Sequence, residues 1–557
     1  MAMCVDRMRS KLPSVAAIVL VATTAALSCP SPVSANEVWM TAGVPVINQE
    51  EKWRGARADV AEMWTPDAPW KSVSQQIQVV LFSPGSIARA KDDDVLKQAF
   101  ADMKRRNVAF ALEAGLLTKT DKCQATTEAY LDSIDTLARI VDRIHRAGGE
   151  LRYLAMDEPF YYGHQYAGAG ACHEPATELA RRVAETIAVI RKTFPNVQVG
   201  DEEVIDSSRS ETDELSTWVD AFRAATGQNL AFLHADVAWS GAAIRNLAPL
   251  ATALKAKHVP LGIIYNADSD PTSDQAWEQN AIEHFSQIES VMNIHPEQAV
   301  FQTWVAFPSR ITPESQSGTL TNLVLQYLHR PTTLTVARQG NDLVGRLTDD
   351  HGQPVAGAAL TAEAVDVAGR LATEREVAGT VPKDAATAMI AIRANIESSC
   401  VCAGDGTTKI GTIHYREAGS NREADIAPGP ATESSEAGPL RSFALTPTKT
   451  IVSNLKQIAV SGGARYTLSA PIAATDSSDK AGYVTAIFFD STGKGLGRNM
   501  LWFRPSRQAL PPITTGADGR FKLALAPNLA AAHPTVEVHY PGNANLRPAL
   551  ASIAYAR

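Results

Sequence analysis

The chain has few cysteines, no excess of basic charge and, past its first 35 residues, no long apolar run. Six cysteines in 557 residues exclude a disulfide-stapled scaffold. Lys and Arg total 52 against 60 Asp and Glu, a formal charge of −8. With no basic stripe, nucleic acid is not an expected partner. A Gly-x-Ser-x-Gly elbow, a glycine-rich phosphate loop and a His-Glu-x-x-His helix are all missing, which removes the commonest hydrolase and transferase chemistries. No cofactor and no metal are expected. What remains is ordinary globular material, 45% apolar and 20% charged, long enough for two to four domains.

The first residues read as an export signal. Arg7, Arg9 and Lys11 precede an apolar run from Val15 to Leu27, and Val33-Ser34-Ala35 supplies small residues before a cut at Asn36. The run is shorter than the roughly 20 residues a spanning helix needs, so no stable membrane insertion is expected after cleavage. The expected destination is secreted or periplasmic. Cleavage removes Cys4 and Cys29. In an oxidising compartment Cys123 and Cys172 form the plausible disulfide, each following a strand within a loop's length. Cys400 and Cys402 are too close for an unstrained bridge to each other.

Short apolar runs alternate with helical patterns from Asp59 to about Leu328. The runs are Ile77–Phe82, Val108–Glu113, Leu151–Met156, Val197–Glu202, Leu230–Asp236, Leu261–Asn266 and Val300–Val305. Amphipathic stretches such as Asp94–Arg106 and Ala176–Thr193 lie between them. That rhythm predicts a parallel sheet covered by helices. An eighth strand is expected near Ala58–Met63, closing a TIM-type (β/α)8 barrel over residues 36–330. After Tyr327 the chain becomes rich in Thr, Val, Gly and Ala with short alternating runs, which signals all-β sandwich domains. Residues 331–368 and 511–557 resemble two halves of a bacterial Ig-like domain. Residues 369–510 would then be an insert, loosely similar to a jelly-roll carbohydrate-binding module.

A parallel barrel gathers its chemistry at the carboxyl ends of its strands. Here those ends carry Glu113, Asp157-Glu158, Glu202-Glu203, His234 with Asp236, Tyr265-Asn266, and Trp304. Glycosidic cleavage needs one protonated and one ionised carboxyl group, and aromatic faces suit the apolar faces of sugar rings. Period-two alternation turns Glu202 inward, since Val197, Val199, Asp201 and Glu203 share the opposite face.

Met156-Asp157-Glu158-Pro159 resembles the Asn-Glu-Pro signature of clan A glycoside hydrolases, whose Glu ends the fourth strand and serves as acid/base. The resemblance covers the barrel only. It implies Glu158 as general acid and Trp304 as sugar platform. The clan's Asn is Asp157 here, and its seventh-strand nucleophile has no counterpart, because Leu261–Asn266 ends in Tyr265-Asn266-Ala267-Asp268. The expected partner of Glu158 is therefore Glu202, as base or nucleophile, with Asp157, Glu113, Glu203 and Asp236 as possible supports. Trp304, Tyr265, Asn266, His234, Trp239 and Tyr161 are the expected substrate contacts. The expected activity is that of a secreted glycoside hydrolase acting on a polysaccharide or oligosaccharide. Two alternatives stand beside it: a hexosaminidase-like hydrolase in which Asp157 orients the substrate's acetamido group for Glu158, and a carbohydrate-binding surface protein without catalysis.

Overall fold

The computed structural model describes residues 36–46, 58–206, 211–267, 271–394, 406–445, 451–476, 481–526 and 535–554. The expected export signal, Asp268, Cys400 and Cys402 lie outside them.

Eight parallel strands close a barrel: β1 (Glu37–Thr41), β2 (Val79–Phe82), β3 (Ala109–Ala114), β4 (Leu151–Asp157), β5 (Gln198–Ile205), β6 (Leu233–Val237), β7 (Leu261–Tyr265) and β8 (Gln298–Phe301). β1 pairs with both β2 and β8, sealing the ring. The expected strand near Ala58–Met63 is a 3-10 helix, Ala58–Trp64, and the first strand is Glu37–Thr41 instead. Its alternation is hard to read because the Glu-Val-Trp-Met-Thr run is only five residues long. The ordinal positions survive, so Asp157 still ends the fourth strand.

Outside the ring, α1 (Asp93–Arg106), α2 (Ile134–Arg146), α3 (Ala176–Arg191), α4 (Glu211–Thr226), α5 (Gly241–Lys257), α6 (Asp274–Ser286) and α7 (Leu320–Leu328) cover the strands. Asp92, Ser133 and Ser240 cap α1, α2 and α5 by accepting first-turn backbone N–H bonds.

The ring's interior is packed by Trp39, Leu81, Tyr153, Phe232 and Ile264 among others. Two glycines make room for the rings. A Cβ at Gly200 would stand 2.3 Å from Phe232, and one at Gly262 would stand 2.3 Å from His234. Side chains of ordinary size at these positions would push the aromatic layer into the opposite strands.

Two β-sandwich cores follow. The first joins a sheet of Thr332–Gln339, Asp342–Asp349 and Arg520–Ala524 to a sheet containing Ala359–Asp366, Ser506–Ala509, Thr535–Tyr540 and Ala549–Ala554. Leu334, Leu347, Phe521 and Val536 lie at its centre. The second, built from the strands between Thr373 and Trp502, packs Ile390, Tyr415, Leu468 and Phe488. Ser506–Ala509 pairs with Ala359–Asp366, so it belongs to the first sandwich rather than to the insert.

Arg547 joins the first sandwich to the barrel. Its guanidinium lies 3.6 Å from the ring centre of Tyr327 and 2.8 Å from Glu289, while Glu289 accepts the hydroxyls of Tyr265 and Tyr327. Both charges are buried, so removing one strands the other. Arg547→Ala is expected to cost about 3–5 kcal/mol, read as a lower urea midpoint.

Candidate active site

A cavity of about 710 Å³ opens at the carboxyl ends of the strands. Six carboxylates line it: Glu113, Glu128, Asp157, Glu158, Glu202 and Asp236. Five stand where strands β3 to β6 end, because a parallel barrel delivers every strand end to the same face. Glu128 arrives from the segment between β3 and α2 and accepts the Tyr162 hydroxyl at 2.8 Å.

Glu158 sits one residue beyond β4 with φ at 52°, a left-handed conformation that costs a non-glycine residue about 1–3 kcal/mol. Its surroundings impose it. The Glu158 amide donates to the Glu202 carbonyl at 2.9 Å, and the Tyr162 amide donates back to the Glu158 carbonyl at 3.1 Å. The strand register places Asp157 beside Glu202, so the two strand ends present their carboxylates together.

Burial dominates the electrostatics. It lifts Glu158, Glu202 and Asp157 well above the ordinary carboxylate range, and the neighbouring negative charges add to the lift. Glu113 is pushed to about 7 by burial, against a hydrogen bond from Gln302. Asp236 also reaches about 7 by burial, held down in part by a hydrogen bond with Glu158. Gln302 donates through Nε2 to Glu113 at 2.9 Å and to Glu202 at 3.4 Å, joining the two across the cavity floor.

The aromatic rim comprises Trp239, Trp304 and Trp502. Trp304 is 37% exposed. Trp239 is fixed by donating to Asn266 Oδ1 and by stacking on His284 at 3.7 Å. Trp502 comes from the inserted sandwich, half-buried and edge-on to Tyr483. Arg245 on α5 bonds Asp476 of the insert at 2.7 Å.

Four sequence-derived candidates stand elsewhere. Glu203 faces away from the cavity and accepts the amides of Phe160 and Tyr161 at 2.7 and 2.8 Å. It therefore positions the turn that carries Glu158. Tyr265 is buried between barrel and helices against Phe285 and Tyr327, because its place on β7 points outward. His234 points into the packed interior, where it stacks on Phe232 and pairs with Gln298 at 2.8 Å. Burial lowers it to about 3, so it is neutral. Tyr161 is buried edge-on to Tyr162, and the adjacent Tyr162 lines the cavity in its place. The disulfide joins Cys123 to Cys172, tying the loop after β3 to the loop after β4.

Sequence reasoning missed Glu128, Gln302 and Trp502. Gln302 had a signal: it shares the inward face of Val300 by period-two alternation. Glu128 stands at no strand end and lies just ahead of a helix that begins at Ile134, so its sequence neighbourhood does not mark it. Nothing local marks Trp502, because its place depends on how the insert docks.

Glu203→Gln offers a direct check on the positioning role. One acceptor oxygen is lost and an amide is turned toward a buried backbone N–H, at about 1–3 kcal/mol. The expected result is a lower melting temperature and a kcat reduced about tenfold, with KM and the shape of the pH profile unchanged.

No family model matches the chain, and no curated protein matches it. Solved structures do resemble it in part. One of two fungal β-1,4-galactanases is 11% identical, covering 52% of this chain and 99% of its own, with a TM-score of 0.34. Xylanase10C from Cellvibrio japonicus is 10% identical, covering 49% and 64%, with a TM-score of 0.32. A probable tagatose 6-phosphate kinase from Sinorhizobium meliloti is likewise 10% identical, covering 48% and 64%, at 0.29. Likeness at this distance reaches sugar hydrolases and a sugar kinase alike. Function must therefore be argued from the site's own residues.

Proposed function

We propose that the chain is an exported glycoside hydrolase that cleaves a polysaccharide by paired-carboxylate catalysis, with Glu158 as general acid and Glu202 as its ionised partner. The observation that carries this reading is the pair itself. Two carboxyl groups end adjacent strands, both buried at the floor of a cavity rimmed by three tryptophans. Burial and the neighbouring carboxylates raise Glu158 well above the usual carboxylate range, which favours the protonated form that gives its proton to the glycosidic oxygen as the C–O bond breaks. Glu202, ionised, either attacks the anomeric carbon or takes a proton from the water that does, and its charge stabilises the oxocarbenium-like transition state. Only one of the coupled carboxyl groups needs to ionise, which the mutual repulsion between them favours.

The disulfide fits an oxidising compartment, and no helix among the described residues is long and apolar enough to cross a membrane. The test is reducing-end release from a broad panel of purified polysaccharides by the wild-type protein. Turnover of any member supports the reading. Binding without turnover across the panel would instead favour a carbohydrate-binding protein.

If the insert forms a wall of the cleft, Trp502 stacks on the polymer rather than anchoring a distant module. Trp502→Ala is expected to raise KM for polymers about three- to tenfold with little change in kcat. An unchanged KM would return the insert to a spacer role.

A further inference from the structure

Two carboxyl groups suffice for hydrolysis, yet the cavity holds six. Among the described residues that line it, Arg89 is the single basic one, and its Nε is already engaged by the Gly85 carbonyl at 3.3 Å. In the lining, carboxylates therefore outnumber basic side chains six to one. A second observation concerns hydrogen bonds. Gln302 spends its Nε2 on Glu113 and Glu202, which leaves its Oε1 without a partner, and Glu202 Oε2 also lacks one. Gln302 is 5% exposed and Glu202 2%. Both atoms are acceptors, and an unpaired buried acceptor is costly. The floor asks for donors.

We propose that the glycan held in this cavity carries free amino groups, so that the substrate is a polycationic amino-sugar polysaccharide. This rests on the glycosidase reading above. An ammonium offers three donors and no acceptor, which matches the unfilled acceptors at the floor. A neutral sugar hydroxyl brings acceptor lone pairs into a site that already has a surplus. The rim adds to the match, since an ammonium near an indole face gains cation–π attraction. The raised carboxyl groups respond in the same sense: an arriving cation stabilises their ionised forms. Binding is therefore expected to release protons.

A single metal ion fits less well. Among the described residues, the group of three ligand atoms lying within 4.8 Å of one another is Glu363, Glu537 and His539, in the first sandwich. There Arg507 already bridges the two glutamates. The cavity's carboxylates are too dispersed to converge on one ion, but dispersed charges suit ammonium groups spaced along a chain.

The experiment uses the full chain as Glu158→Gln, titrated calorimetrically with glucosamine and galactosamine oligomers, their N-acetylated forms, and neutral xylan and galactan oligomers. The amines must be protonated at the chosen pH. The expected result is binding of one amino oligomer at least about tenfold tighter than its N-acetylated form, weakening with added salt and releasing protons. Glu128→Gln in the same background should weaken that binding about fivefold. Equal affinity for amino and acetylated forms, or no binding of either amino oligomer, would overturn the proposal. So would calcium or magnesium alone binding the cavity and displacing the amino oligomer. Turnover of the same oligomers by wild type separates the two readings. Neutral oligomers cleaved with no amine preference keep the glycosidase and discard the amino sugar. Amino oligomers bound tightly but never cleaved keep the ligand class and discard the hydrolysis.

Discussion

Glu158→Gln is expected to lower turnover of a polysaccharide about a thousandfold while the polymer still binds. The substitution keeps the side chain's shape and its contacts in the left-handed turn, and removes only the proton. In the wild type, burial, the charge of Asp236 and the other carboxylates around it all raise Glu158 and so favour that proton. Glutamine cannot supply it, so the leaving sugar must depart as an alkoxide. A substrate whose leaving group needs no protonation, such as an aryl glycoside with an acidic phenol, is expected to recover most of the loss. That recovery separates an acid from a merely structural residue, whose loss would slow both substrates alike. Equal activity of mutant and wild type on the polymer would sink the assignment.

The barrel was legible because parallel strands buried on both faces leave continuous apolar runs, and seven of the eight did so. The first strand escaped because five residues carry too little periodicity to register, while Ala58–Met63 is apolar enough to mimic one. Placement at the rim followed from counting strand ends, which put Glu113, Asp157, Glu158, Glu202 and Asp236 at one cavity. Which way a strand-end residue faces was harder. Alternation turned Glu202 inward and Glu203 outward, yet the sequence could not show that Glu203 would be consumed by two backbone amides. Tyr265 and His234 lie at strand ends too, and each reads as a contact in the sequence because aromatic and imidazole groups serve both core and site. Only the packing of α6 and α7 on one side, and of Phe232 on the other, distinguishes them. Trp502 is the last residue of a strand in the inserted domain, so its place at the cavity depends on how that domain docks, and no local pattern encodes that.

Glu202→Gln is expected to cost about as much as Glu158→Gln, on the order of a thousandfold, but to leave a different mark on the pH profile. Under the proposed roles Glu202 must be ionised and Glu158 protonated in the wild type, so the rate is expected to follow a bell. Both limbs are expected above the usual carboxylate range, because burial raises both groups. The acid limb belongs to the group that must ionise, and Glu202→Gln should abolish it in the residual activity while the alkaline limb stays. Stability runs the other way. Glu113 and Asp236 have folded values of about 7, against ordinary values of 4.5 and 3.8. A raised carboxyl group contributes stability that is complete below its unfolded value and is lost as pH rises through the folded one. The melting temperature of the wild type should therefore climb as pH falls from above 7 toward the ordinary carboxylate range, over the span in which the rate declines. If rate and melting temperature fell together on acidification, the acid limb would report unfolding, and Glu202 would lose its claim to it. Opposed slopes, with the rate slope missing in Glu202→Gln, assign the limb to the ionised partner of Glu158.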